Sequence, residues 1–391
     1  MRTLLIWALP GLLYAQAPPL TYDDLLAKAR TSPEQVRTEA LLAANRRALS
    51  GTRGFLREGP SLSVAAGPRT NPVAPTSTDQ TMELDLPLFL SRGARRRLEE
   101  ALGKADPVLR EAVRIDARFQ LRKAYLDAWL AERALRVREA DLGTVQAWQA
   151  AASARVAAGA DPAFQASLVE GEILRAQLDL DEARKERALT WARLRILADV
   201  PEGPVPLADP GGPQMPALEG LEPRFERSAL RVALQDRLEL ETRALRQQEA
   251  LSTSRWSLRG SYGKENEDRI AKVGVAYRFA RPGEAQAIRQ EAEANVQVAR
   301  REIGIALVDL DARFQAAMAR ARNQAPPRPF TEFDSAIRAI GLRLSEGKER
   351  PSEALPIRRQ LLEAQISSLR RIGNAHLLTA ELQALTDGVN P

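Results

Sequence analysis

Hydrophobic and polar positions along this chain follow two periods, and the segments that carry them come in an order that occurs twice. Four short segments alternate every second residue. Over 81–89, Met82, Leu84, Leu86 and Leu88 share one face, and Thr81, Glu83 and Asp85 share the other. Over 272–279, Val273, Val275, Tyr277 and Phe279 oppose Lys272, Gly274, Ala276 and Arg278. Weaker alternation places Leu62, Val64 and Ala66 together, and Trp256, Leu258 and Tyr262 together. A period of two is the signature of a strand with two unlike faces, so strands are predicted over 60–69, 79–89, 255–263 and 270–280.

The remaining chain steps by three and four. Val169, Ile173, Ala176, Leu180, Ala183, Arg187, Thr190, Leu194 and Leu197 form a heptad with two polar interruptions, as in a left-handed coiled coil. Ile288, Ala292, Val296, Ala299, Ile303, Leu307, Leu310 and Phe314 lie closer to an eleven-residue repeat, which keeps helices straight enough to stand as staves. Helices are predicted over 20–56, with a break near Pro33, then from 93 to 156 with a kink or break at Asp106-Pro107. Further helices are predicted from Asp161-Pro162 to about 199, over 223–253, from 283 until Pro326-Pro-Arg-Pro329 interrupts it, and over 352–386.

Each strand pair precedes a long helical stretch and a glycine turn. Arg155-Val-Ala-Ala-Gly159-Ala-Asp-Pro162 closes the first stretch, and Arg343-Leu-Ser-Glu-Gly347-Lys-Glu-Arg-Pro351 the second. From Phe89 to Gly159 is 70 residues and from Phe279 to Gly347 is 68. Two equivalent units follow, 18–200 and 223–391, joined by a connector over 201–222 rich in proline and glycine.

Composition narrows the class. The chain has 391 residues, is 28% charged and only 5% aromatic, which favours long helices. Its net charge of +6 is interleaved along the sequence rather than gathered into a basic stripe, so a nucleic-acid partner is not expected. Residues 1–17 read as a signal peptide: Arg2, an apolar run from Leu4 to Tyr14, then Ala15-Gln16-Ala17, with cleavage after Ala15 or Ala17 both open. That run is too short to span a bilayer as a helix. There is no cysteine, which removes disulfides and thiolate metal sites, and His376 is the only histidine. No nucleotide loop, nucleophile elbow or metal-ligand cluster is present, so the chain reads as a non-enzyme without cofactor. With no apparent globular segment to cover the apolar strand faces, the alternation fits a transmembrane barrel. The rival is a soluble periplasmic coiled-coil or adaptor-type protein.

These residues resemble the TolC-like outer membrane efflux proteins. The likeness rests on the element order given twice, on Leu86-Pro-Leu-Phe-Leu-Ser-Arg-Gly93 with Ala94-Arg-Arg-Arg97 as a strand-to-helix junction, and on the two glycine turns. Ala124-Tyr-Leu-Asp-Ala-Trp-Leu130 and Leu361-Leu-Glu-Ala-Gln365 add to it; the second junction, Ala280-Arg-Pro-Gly-Glu284, departs from the pattern. The resemblance implies a mainly α fold with a short β-barrel. Three chains would form a twelve-stranded outer-membrane barrel continuous with a periplasmic α-helical barrel. It implies an outer-membrane channel subunit of a tripartite efflux or type I secretion system, docked on a periplasmic adaptor and, through it, on an inner-membrane pump. Strand arithmetic agrees with a homotrimer: four strands cannot close, eight fill their interior with side chains, and twelve leave a lumen.

Specific residues follow. Leu84, Leu86, Val273, Val275 and Tyr277 are expected to face lipid, and Glu83, Asp85, Lys272 and Arg278 the lumen. The glycine turns are expected at the tip farthest from the membrane, with Arg155, Val156, Ala158, Gly159, Arg343, Leu344, Glu346 and Gly347 contacting the adaptor. In the resembled family acidic residues six and nine positions after the second tip glycine ring the entrance. Glu353 occupies the first position and Pro356 the second, so Glu353 is the aperture candidate, with Lys348, Arg350 and Arg358 placed to pair with it or with a neighbouring chain.

Overall fold

The computed structural model describes residues 18–51, 60–71, 74–88, 92–200, 205–253, 256–265, 268–277, 283–324, 331–346 and 348–388. The signal peptide at 1–17, Pro326 to Pro329, Arg278 and Gly347 lie outside the described residues. The element order is α1 (Tyr22–Ala27), α2 (Pro33–Gly51), β1 (Ser61–Asn71), β2 (Ala74–Pro87), α3 (Arg92–Ala157) and α4 (Phe164–Leu197). It continues with α5 (Leu221–Glu226), α6 (Ala229–Thr253), β3 (Trp256–Glu265), β4 (Asp268–Tyr277), α7 (Glu284–Asn323), α8 (Thr331–Ser345) and α9 (Pro351–Thr386). The order helix, two strands, long helix, turn, helix does occur twice, with the second long helix divided into α7 and α8.

Three expectations are corrected. β1 and β2 run past the expected bounds at 69 and 79, pairing Pro68 with Thr78 and Asn71 with Ala74. Proline is admissible there because β1 is an outer strand and need not donate on both sides. Asp106-Pro107 neither breaks nor ends α3, which runs through it. Pro107 and Gly103 are both exposed, so the Gly103 carbonyl freed by the missing N–H faces solvent, while Ala105, Val108 and Leu109 stay buried and hold the helix. Asp161 does not cap α4: that helix begins on Ala163 without a side-chain cap, and the Asp161 carboxylate is held by Arg155.

The chain forms two compact units. The first comprises 18–31, 117–200, 205–216 and the described part of 320–381. One core cluster in it gathers Leu25, Leu121, Tyr125, Leu126, Trp129, Trp191, Leu194 and Leu207. The Tyr125 hydroxyl donates to the Ala208 carbonyl at 2.6 Å, and burial pushes its pKa up to about 12. A second cluster joins Val145, Trp148 and Ala152 of α3 to Val169 of α4, Leu344 of α8 and Ala354 and Leu355 of α9. The heptad of α4 supplies its buried side: Val169, Ala176, Leu180, Thr190 and Leu194. His376 is a packed core residue, its Nε2 3.1 Å from the Gly211 carbonyl and its ring edge-on to Trp129.

The second unit comprises the described residues of 32–116, 217–319 and 382–388. Its helical core packs Leu42 of α2 against Leu98, Ala101, Leu102, Ala105, Val108 and Leu109 of α3 and Ala233 and Leu240 of α6. On α7 the long stripe is buried at Ala299, Ile303, Leu310 and Phe314, and Phe314 stacks on Phe225 at 4.2 Å. This unit also carries the whole sheet, in the order β1-β2-β3-β4, all antiparallel. The second strand of the first repeat pairs with the first strand of the second, so the two repeats share one sheet.

Candidate functional site

The register of the sheet turns four weak sequence patterns into two continuous faces. Leu62 pairs with Leu84 and Val64 with Met82. Met82 pairs with Tyr262 and Leu86 with Leu258. Leu258 then pairs with Val275, and Trp256 with Tyr277. Directly paired residues share a face, so these side chains form one apolar surface together with Val273. Trp256 and Tyr277 meet on it at 4.9 Å. Within the chain the surface is uncovered: Val273 is 82% exposed and Leu62 61%.

The other face is polar. Ser63, Glu83, Ser261 and Lys272 form one row across all four strands, and Ser61, Asp85, Arg259 and Gly274 form the next. Arg259 lies 3.5 Å from the Asp85 carboxylate. Thus Glu83, Asp85 and Lys272 share a face, opposite Leu84, Leu86, Val273, Val275 and Tyr277, and Arg259 joins them. Arg259 escaped the sequence reading because the third segment alternates weakly; only pairing to Asp85 fixes its face. β1 and β4 are the outer strands, each with one side unpaired among the described residues.

The glycine turn after α3 is a Schellman cap. Gly159 has φ +71°, its N–H donates to the Val156 carbonyl at 3.0 Å, and the Ala160 N–H reaches the Arg155 carbonyl at 2.9 Å. Arg155 closes the turn from outside, donating through Nε and Nη2 to both Asp161 oxygens at 2.6 and 3.1 Å. The second turn repeats the design. The Lys348 N–H donates to the Arg343 carbonyl at 2.9 Å, and Arg343 pairs with Glu349, again six residues on. Arg155 holds the Asp161 carboxyl below its usual range, chiefly through that hydrogen bond. Ala158, Gly159, Arg343 and Glu346 are exposed and Val156 is half-buried. Leu344 is 1% exposed and belongs to the core with Trp148 and Leu355, so it supports the turn from beneath and presents no surface.

Glu353 sits exposed in the first turn of α9, and Pro356 lies inside that helix. Within the chain Lys348 pairs with Glu346 at 2.7 Å rather than with Glu353, and Arg358 turns inward. Arg358 of α9, Asp141 of α3 and Glu172 of α4 are 3–4% exposed at their side chains. Arg358 donates to Asp141 and, at 2.6 Å, to Glu172, which also accepts from Arg359. This layer lies between apolar neighbours: Val137 and Val145 flank Asp141, and Leu355 and Leu362 flank Arg358. The signal was present, because a charge four residues from one buried leucine and three from another lies on the same stripe. Nearby, Gln165 exchanges hydrogen bonds with the backbone and hydroxyl of Ser352 at 3.0 and 3.2 Å.

Among the described residues no group of three or more histidine, aspartate or glutamate side chains is disposed to hold a metal ion, and no helix is long and apolar enough to cross a membrane.

No protein-family model and no curated protein matches the sequence. Solved structures do match. The outer membrane protein VceC of Vibrio cholerae aligns over 94% of this chain and 97% of its own, with a TM-score of 0.69 at 16% identity. The CmeC outer membrane channel of Campylobacter jejuni aligns over 93% and 85%, with a TM-score of 0.68 at 12% identity. The MtrE outer membrane channel of Neisseria gonorrhoeae, solved in its open state, aligns over 94% and 88%, with a TM-score of 0.65 at 17% identity. The fold is that of the TolC-like outer membrane channels.

Proposed function

We propose that this chain is one subunit of a homotrimeric outer-membrane channel of a tripartite efflux or type I secretion system, exporting drugs, metal ions or polypeptides, with a helical extension into the periplasm, and that it is not an enzyme. The observation that carries this is the sheet: one face apolar and uncovered, the other charged, with outer strands β1 and β4 unpaired on one side among the described residues. In lipid each unsatisfied backbone group costs several kcal/mol, so the open edges require partner strands. Three copies supply twelve strands, the polar face turns inward, and Glu83, Asp85, Arg259, Lys272 and Arg278 line the lumen. Exposed apolar residues on α4, including Leu174, Leu178 and Ile196, give each copy a helical surface for its neighbour. The names of the comparison structures support the same location and role. The test is fractionation with the outer membrane and light scattering in mild detergent. A trimer is expected; a soluble monomer would overturn the reading.

The two glycine turns are the proposed docking points for a periplasmic adaptor that links the channel to an inner-membrane pump. Arg155, Val156, Ala158, Gly159, Arg343, Glu346 and Gly347 are the contact residues, with Leu344 as their support. Their shared geometry, an Arg-to-acid pair bracing each turn, presents two similar knobs per chain. Cysteines at 158 and 346 should crosslink to the adaptor in cells, and cysteines at the sheet hairpins should not; the reverse result would invert the orientation. Glu353 is the aperture residue of this reading: three exposed carboxylates would form one ring. In planar bilayers Glu353→Gln is expected to raise conductance or weaken block by multivalent cations.

A further inference from the structure

Read along the sequence, the arginines are interleaved with acids; in the fold a group of them is not. Arg97 of α3, Arg243 and Arg246 of α6 and Arg300 of α7 line one cavity of about 470 Å³ together with Glu249 and Glu293. Glu249 is already engaged by Arg289 at 3.6 Å, and Arg243 by Glu239 at 3.5 Å. Arg97, Arg246 and Arg300 have no carboxylate partner among the described residues and are exposed. Among the described residues Arg97 donates to the Gly93 carbonyl, at 3.1 Å. Three guanidiniums from three helices therefore surround a space with one unengaged acid.

The first turns of α3 sharpen the imbalance. Its first six residues are Arg92, Gly93, Ala94, Arg95, Arg96 and Arg97, and its first turn has no acid. Basic side chains at a helix N-terminus oppose the positive end of the helix dipole; Arg96 is offset within the helix by Glu100 at 2.8 Å, while Arg97, on the cavity wall, is not. Guanidinium is the side chain best matched to a phosphate, through paired N–H donors. The α3 and α6 walls of the cavity lie where those helices join the sheet, and its α7 wall runs deeper, to Arg300, 23 residues past the end of β4. Ala94 follows the end of β2 by seven residues, and Ala250 precedes β3 by six.

We infer that this cavity binds the phosphate headgroup of an anionic phospholipid. The inference rests on the channel reading: if the sheet spans the outer membrane, the helix ends that join it stand beside the headgroups of the periplasmic leaflet. A lipid whose tails lie against the apolar face of the sheet then reaches the cavity with its phosphate. Basic pockets at that depth recruit anionic lipid by the same electrostatics that draw polybasic segments to membranes.

The test uses the full-length trimer in detergent micelles doped with either phosphatidylglycerol or phosphatidylcholine, read by native mass spectrometry. Wild type should retain phosphatidylglycerol at least about tenfold more strongly than phosphatidylcholine. The double variant Arg246→Gln/Arg300→Gln should lose that preference, and the distant control Arg184→Gln should keep it. Equal retention of the two lipids by wild type overturns the inference whatever the variant does. So does a preference that survives in the double variant, and so does displacement of the lipid by millimolar inorganic phosphate, which would make this a free-anion site. Failure to form a trimer breaks the channel reading; an intact trimer without lipid preference breaks only this inference.

Discussion

The sheet and the helical unit that carries the glycine turns reverse the ordinary rule of burial in opposite ways. The sheet leaves Val273, Val275, Leu62 and Val64 exposed. The helical unit buries Arg358, Asp141 and Glu172. Each reversal has its own physical cause. A surface that meets hydrocarbon loses nothing by being apolar, whereas a charge withdrawn from water is tolerated only with partners that replace its hydration. The first is a statement about the surroundings of the chain, the second about its interior. Exposed apolar side chains and buried charged ones are therefore separate signals, to be tested separately.

The largest expected effect is in the helical unit. Arg358→Met leaves two carboxylates buried without their shared partner and should cost about 3–5 kcal/mol. Adding Asp141→Leu and Glu172→Leu should recover most of that loss, because well-packed apolar groups of similar volume often replace a buried ion pair without penalty. Thermal unfolding by circular dichroism in detergent measures both. If Arg358→Met melts with wild type, the charged layer is not dry.

Next in size is the sheet. Leu84→Arg should destabilise membrane insertion by roughly 2–4 kcal/mol near the bilayer midplane, while Glu83→Arg should be accommodated and alter ion selectivity instead. Folding yields into vesicles separate the two. Equal tolerance would mean that the face assignment, and with it the contrast between the regions, is wrong.

The turn at Gly159 gives a smaller effect. A Cβ there would meet nothing within 4 Å, so only the backbone is strained at φ +71°. Gly159→Ala should cost about 1–2 kcal/mol, and Gly159→Asn less, read from the same melting curves.

The smallest effect concerns pH in the helical interior. Burial, the largest cause, pushes the His376 pKa below its ordinary value, against the opposing pull of the Gly211 carbonyl. The unfolded chain therefore takes up the proton first. Stability is complete above about pH 6.5 and declines as pH falls through that value toward the folded pKa. The melting temperature should be lower at pH 5.5 than at pH 7.5, and His376→Gln should flatten that difference.

The sequence by itself determined the two periods, the doubled order of elements and the positions of both glycine turns. All three are local: alternation is written in neighbouring residues, and a glycine turn in a single backbone conformation that other residues resist. The same locality made Leu84 and Glu83 legible as members of opposite faces. It also misled. Pro107 is a helix breaker by its own chemistry, yet α3 continues through it, with Ala105, Val108 and Leu109 buried beside it. Leu344 sits beside a turn glycine in sequence, yet its side chain lies in the core. What only the tertiary structure decided was partnership across long separations: Arg259 with Asp85, Arg358 with Asp141 and Glu172, and the gathering of Arg97, Arg246 and Arg300 around one cavity. A charge reads the same in sequence whether water or another charge neutralises it. Which of the two applies depends on helices and strands brought together from more than a hundred residues apart.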